Sequence, residues 1–136
     1  MSTITRTGIV VLLALSAALI GACGHNPFHQ SYKKIAGSFY LLRWEDEKTY
    51  YIVEESHLKD DEIGGGALNG TALQIGWNAQ YIVAKRYATF RGDQDGWMVI
   101  NLTTKKIEGP ISDGEETMRF PELKLMSPSE AWSSLQ

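Results

Sequence analysis

The sequence predicts a mainly β fold with short C-terminal helices: an antiparallel meander forming a curled sheet or a small sandwich. Three observations carry this. Strand-length segments rich in β-branched and aromatic residues follow one another from Ser38 to Ile111. Short turns join most of them, and short turns join antiparallel neighbours. Only beyond Ile111 does the pattern change, where two serine-to-glutamate capping boxes announce helices.

Ser38–Trp44 and Thr49–Glu54 form the first predicted hairpin, around the charged turn Glu45–Lys48. Both segments are apolar or aromatic at successive positions, so both faces are expected to meet protein. Residues 55–69 are a long irregular stretch with an acidic tip, Lys59-Asp60-Asp61-Glu62, and the run Gly64-Gly65-Gly66. Such a loop is either a partner-binding or cation-binding element or a solvated crossover, and its composition favours the crossover. The glycines are no phosphate cradle, because no Gly-Lys-Ser/Thr follows and no helix pattern begins there.

The clearest alternation follows. Thr71, Leu73, Ile75 and Trp77 are expected on one face and Ala72, Gln74 and Gly76 on the other. A turn at Asn78-Ala79 leads to a return strand, Tyr81–Tyr87, which sets Tyr81, Val83 and Lys85 against Ile82, Ala84 and Arg86. Arg91–Gly96 turns into Trp97–Leu102. Thr103–Lys106 turns again, and Ile107–Ile111 pairs at an edge, since Pro110 has no N–H to give a ladder. The boxes Ser112–Glu115 and Ser127–Glu130 place a helix over Glu115–Phe120 and another over Pro128–Leu135, the latter docking Ala131, Trp132 and Leu135 on the sheet.

The first residues have a different character. Arg6 precedes an uninterrupted apolar and small run, Gly8–Ala22, with no acid, base or amide. A positive start, an apolar core and small residues at its end are the layout of an export signal. The run falls short of the roughly 20 apolar residues a membrane span needs. Gly24-His25-Asn26-Pro27 offers no basic stop-transfer flank.

The run ends on Cys23, the one cysteine of the chain. Leu19-Ile20-Gly21-Ala22-Cys23 resembles the lipobox of bacterial lipoproteins. That pattern prefers Leu where Ile20 stands, and small residues where Gly21 and Ala22 stand. The resemblance implies cleavage between Ala22 and Cys23, a diacylglycerol on the Cys23 sulfur, and a fatty acyl group such as palmitate on the new amino terminus. A thiolate is the nucleophile such chemistry needs. One acyl chain holds marginally, at about 0.8 kcal/mol per buried CH₂, whereas two or three hold firmly. Gly24, rather than Asp, after the cysteine implies the periplasmic face of the outer membrane in a Gram-negative host. The expected division is a signal peptide at 1–22, a lipidated cysteine and tether at 23–34, and one β-rich domain at 35–136.

Of 136 residues, removing 1–22 leaves 114, enough for a single modest core. Arg6 departs with the leader, so 12 Lys and Arg face 16 Asp and Glu, a net charge of −4. That balance argues against nucleic acid as a partner. No cysteine remains for a disulfide, so stability must come from burial, much of it supplied by four Trp, six Tyr and four Phe. Tyr81-Ile82-Val83, Gly96–Asn101 and Gly109-Pro110 together resemble one β-propeller blade. A whole propeller is excluded, since four blades of about 40 residues need roughly 160. The mature region is also similar to uncharacterised small β-domain lipoproteins of bacteria, a likeness that supplies no activity.

Candidate chemistry is sparse. His25 and His29 lie four apart, but Pro27 between them disfavours a helix, and no carboxylate or cysteine completes a metal site. Asp93-Gln94-Asp95-Gly96 matches half of a calcium loop, yet Thr104 stands where its twelfth-position glutamate belongs. Arg91-Gly92-Asp93 and the triplets beginning at Asn69 and Asn101 read better as turn and strand residues. His57 is the one histidine within the domain, and no nucleophile elbow accompanies it. No catalytic, cofactor or metal residues are therefore expected, and the site residues are Cys23 for lipid attachment and Ala22 with Cys23 for cleavage. The expected function is a membrane-anchored, non-enzymatic binding module of the envelope, with the bilayer and an envelope protein as partners. The alternatives are an immunity-type inhibitor of a toxin acting in the periplasm, with Lys59–Glu62 covering a basic active site, and a small envelope enzyme.

Overall fold

The computed structural model describes residues 31–59 and 67–136. The expectations for Ala22, Cys23, His25 and His29, and for the acidic and glycine-rich stretch 60–66, lie outside the described residues.

Among the described residues, seven strands form two antiparallel sheets. β1 (Ser31–Ala36), β2 (Phe39–Arg43) and β3 (Tyr50–Glu54) make the first, in that order. β4 (Gly70–Trp77), β5 (Tyr81–Ala88), β6 (Gly96–Asn101) and β7 (Ile107–Ile111) make the second, again in chain order. Two short helices follow, α1 (Glu115–Arg119) and α2 (Pro128–Ser134). This is the expected mainly β meander with C-terminal helices, in its two-sheet form. One core joins the sheets: Phe39, Leu41 and Ile52 from the first meet Ile75, Ile82, Ala84 and Ile100 from the second. Each large aliphatic or aromatic side chain fully buried there contributes about 1.5–3 kcal/mol. α2 closes the core with Ala131, and Trp132 and Leu135 pack beside it, as expected.

Side chains of Asp and Asn set the hairpin turns, because a short acceptor can satisfy two backbone N–H groups at once. Asp46 accepts from the amides of Lys48 and Thr49, Asn78 from Gln80 and Tyr81, and Asn101 from Thr103 and Thr104. The β6–β7 turn also ties the sheets together, through Lys105 Nζ to Glu54 Oε1 at 2.5 Å.

The structure corrects three expectations. β1 spans Ser31–Ala36, so residues 31–34, assigned to the tether, belong to a strand of the first sheet. Tyr32-Lys33-Lys34 reads as polar linker because β1 is an edge strand, where lysines deter pairing with other chains. Its Lys33 ammonium donates to the carbonyls of Trp132 (3.0 Å) and Leu135 (2.8 Å). In β4 the alternation breaks: the register shifts between Ala72 and Gln74, so Ala72 and Ile75 both enter the core and Leu73 is left 48% exposed. A bulge inserts one residue and reverses the faces beyond it. Finally, Ser112 does not cap α1. Gly114 holds the N-cap position at φ +91°, and Glu115 merely reaches back to the Ser112 amide. The Ser127–Glu130 box is complete, with Pro128 opening α2.

Candidate functional site

The four-stranded sheet has two faces, and β5 shows how each is used. Ile82 and Ala84 enter the shared core, with Arg86 on the same side. Tyr81, Val83, Lys85 and Tyr87 point outward by the same alternation. Half of that outer face is covered by the chain that follows β7. Phe120, Leu123 and Leu125 pack over Val83, Trp97 and Val99, with the Tyr81 and Phe120 ring centroids 5.2 Å apart. Gly76 admits this cover: a Cβ there would sit 2.9 Å from the Lys124 carbonyl oxygen and 3.0 Å from Leu125 Cδ2. Met126 then pairs with Ile75 through reciprocal backbone hydrogen bonds of 2.9 Å, closing the β4 edge.

The other half of the face is uncovered. There Thr71 pairs with Tyr87 and Gln74 with Lys85. Tyr87 is 57% exposed, and Phe90 in the loop after β5 is 50% exposed. Leu73, next to Gln74 in β4, is exposed as well.

A groove of about 450 Å³ borders this area, lined by Lys85, Asp95, Gly96, Pro110, Ile111, Ser112 and Asp113. Gly96 adopts φ +140°, with Pro110 Cβ 2.7 Å from where its own Cβ would stand. The groove's charges are engaged. Asp113 Oδ1 accepts from Lys85 Nζ at 3.1 Å and from the Trp97 indole N–H at 2.9 Å. The hydrogen bond from Lys85, and then that from Trp97, holds the Asp113 carboxyl below its ordinary value of 3.8. Asp95 accepts from the Ala88 amide at 2.8 Å. Ser112 Oγ donates to Glu115 at 3.1 Å, and that carboxylate faces Arg119 at 3.5 Å. The arrangement offers an apolar patch with a polar rim, the anatomy of a protein contact.

Arg86 fixes the two loops that flank the patch. Its guanidinium donates to the Leu68 carbonyl at 2.5 Å and twice to the Gln94 carbonyl, at 2.9 and 3.2 Å. Thr89 adds a backbone hydrogen bond of 3.3 Å to Asn69.

Among the described residues, those singled out in the sequence are not brought together. His57 is exposed on the 3-10 turn Glu55–Lys59. The side-chain oxygens of Asp95 and Asn101 accept from the backbone amides of Ala88 and Thr103, and Asn69 adopts φ +51°. Among the described residues no group of three His, Cys, Asp or Glu is placed to hold a metal, and no helix is long and apolar enough to cross a membrane. The Lys85–Asp113–Trp97 cluster and the exposure of Leu73 escape sequence reasoning. The first joins residues up to 28 positions apart, and the second follows from a bulge.

No protein-family model matches the chain, and neither a curated protein nor a solved structure does. The fold defines the class on its own terms: a two-sheet antiparallel β domain with two short C-terminal helices.

Proposed function

We propose that this protein is a lipid-anchored, non-enzymatic envelope module that binds another envelope protein through the uncovered half of its four-stranded sheet. The observation that carries the binding role is that face itself. Its tail covers Val83, Trp97 and Val99 but leaves Leu73, Tyr87 and Phe90 exposed beside the Lys85–Asp113 rim. Large apolar side chains gathered on an otherwise polar surface mark interaction sites. The leader ending in Leu19-Ile20-Gly21-Ala22-Cys23 supports the anchor.

The test is a crosslinking pull-down from native membranes with the tagged full-length chain, run beside Cys23→Ser and Tyr87→Asp. A stoichiometric protein partner lost in Tyr87→Asp supports the proposal, as does release of Cys23→Ser from carbonate-washed membranes. A partner captured equally by wild type and Tyr87→Asp refutes the assigned face. Retention of Cys23→Ser on washed membranes refutes the anchor.

A further inference from the structure

The tail that covers the outer face of the four-stranded sheet is held unequally along its length. From Phe120 to Met126 it is packed. Phe120, Leu123 and Leu125 sit on Val83, Trp97 and Val99, and Met126 pairs with Ile75 through two backbone hydrogen bonds. From Ser112 to Arg119 it is not. Of residues 112–119 only Glu116 is buried, and Met118, the one large apolar side chain there, is 78% exposed. α1 has five residues and no side-chain cap, and so short a helix is marginal without packing. What ties this segment down is polar. Asp113 accepts from Lys85 at 3.1 Å and from the Trp97 indole N–H at 2.9 Å. Arg119 pairs with Glu108 of β7 and, at 3.5 Å, with Glu115. Glu116 accepts from the Gly114 amide at 2.7 Å, a contact within the segment itself. Exposed ion pairs contribute little, and a stretch with few buried apolar contacts opens while the rest stays folded.

Trp97 is what this segment conceals. It pairs with Lys85 on one side and Ile111 on the other, and it is only 3% exposed. Tyr87 stands two residues along β5 from Lys85, so it is the diagonal neighbour of Trp97 on the same face, at about 7–8 Å by ordinary sheet geometry. We propose that residues 112–119 act as a strap that opens between its fixed ends, Ile111 and Phe120, and so releases the indole edge of Trp97 into the contact face beside Tyr87. The inference rests on the reading of that face as the partner site, and it supplies the regulation of that site. The closed strap withholds an aromatic anchor that the open strap presents. Tryptophan and tyrosine are the side chains that most often carry interface energy. A partner that takes up Trp97 binds only the open state, so its apparent affinity rises in proportion to the open fraction. Gly114, at φ +91° with nothing within 4 Å of where a Cβ would stand, gives the strap room to move.

The experiment is native-state hydrogen exchange by NMR on the full-length chain in detergent, repeated in low urea. The reporters are the Met118 and Phe120 amides, bonded to the Gly114 and Glu116 carbonyls, and the Trp97 indole N–H. The expected result is that all three exchange through one opening that urea does not accelerate, because little surface is exposed in it. The Ile75 and Met126 amides should instead quicken with urea. Arg119→Met cuts both ion pairs and keeps an apolar stem near the Phe120 ring, which the guanidinium faces at 5.3 Å. Two exposed ion pairs lost together should speed exchange at the three reporters by about 2- to 30-fold and leave Ile75 and Met126 unchanged. In native membranes, a photocrosslinking probe at Tyr87 should give a higher yield of its protein adduct in Arg119→Met than in wild type. Exchange of the Trp97 indole in step with Ile75 and Met126 overturns the strap. Faster exchange in Arg119→Met at an unchanged adduct yield overturns its control of the face. No protein adduct from position 87 in either chain overturns the face itself, and the regulation with it, whatever the exchange shows.

Discussion

Arg86→Met is the substitution that probes the packing of the site most sharply. Methionine keeps much of the length and apolar volume of arginine and removes all of its donors. The native Arg86 is 7% exposed, and its guanidinium gives one hydrogen bond to the Leu68 carbonyl and two to that of Gln94. Losing the cation also removes its own desolvation penalty, so the cost is set by the acceptors left behind. The hydrogen bond to the Leu68 carbonyl is buried, and an acceptor stranded there costs about 1–3 kcal/mol. The Gln94 carbonyl is only partly buried and recovers water, adding about 1 kcal/mol or less. The expected loss is therefore about 1–4 kcal/mol, or a fall in Tm of roughly 4–32 °C at about 4–8 °C per kcal/mol for a domain near this size. Equilibrium urea unfolding followed by tryptophan emission measures it, as a lower midpoint at unchanged slope. Arg86→Lys, which keeps the charge but cannot fork to both carbonyls, should fall between. A loss below about 1 kcal/mol in Arg86→Met would show that the two loops are held by other contacts, since even one stranded acceptor costs more.

Three further outcomes follow from the same geometry. Gly76→Val drives a branched side chain into the Lys124 carbonyl and Leu125, and should cost about 1–3 kcal/mol, with faster hydrogen exchange at the Met126 and Ile75 amides. Ser127→Ala removes the side-chain half of a complete capping box and should cost about 1 kcal/mol, read as a lower urea midpoint. The Lys85–Asp113 contact should be acid-labile: a carboxyl depressed in the folded state stabilises it above the ordinary value of 3.8, and that contribution is lost as pH falls through the depressed value. The Trp97 indole N–H resonance should titrate with a midpoint below 3.8 in wild type and closer to it in Lys85→Met; a wild-type midpoint at or above 3.8 would contradict the assigned contact.

Much of the fold was legible because its strands obey local rules. Tyr81–Tyr87 alternates cleanly, and both of its faces do what the alternation says. Ser127-Pro128-Ser129-Glu130 carries its cap within four residues, so α2 was readable from sequence alone. What escaped depends on contacts distant in the chain. The Leu73 bulge is fixed by pairing with β5, and nothing within β4 announces it. Ser112 and Glu115 have capping-box spacing, but the chain bends through Gly114 before the helix starts. β1 was hidden because edge-strand lysines look like linker, although Lys33 is anchored on carbonyls about 100 residues away. The candidate site was least legible of all. Its exposed apolar group exists because the tail from Ser112 to Met126 covers one half of a sheet and stops, which no local pattern encodes.

The most direct measurement is photocrosslinking in native membranes from a full-length chain carrying the probe at Tyr87. The proposed function predicts a discrete protein adduct from position 87. No protein adduct from 87 while the chain remains membrane-bound would contradict it.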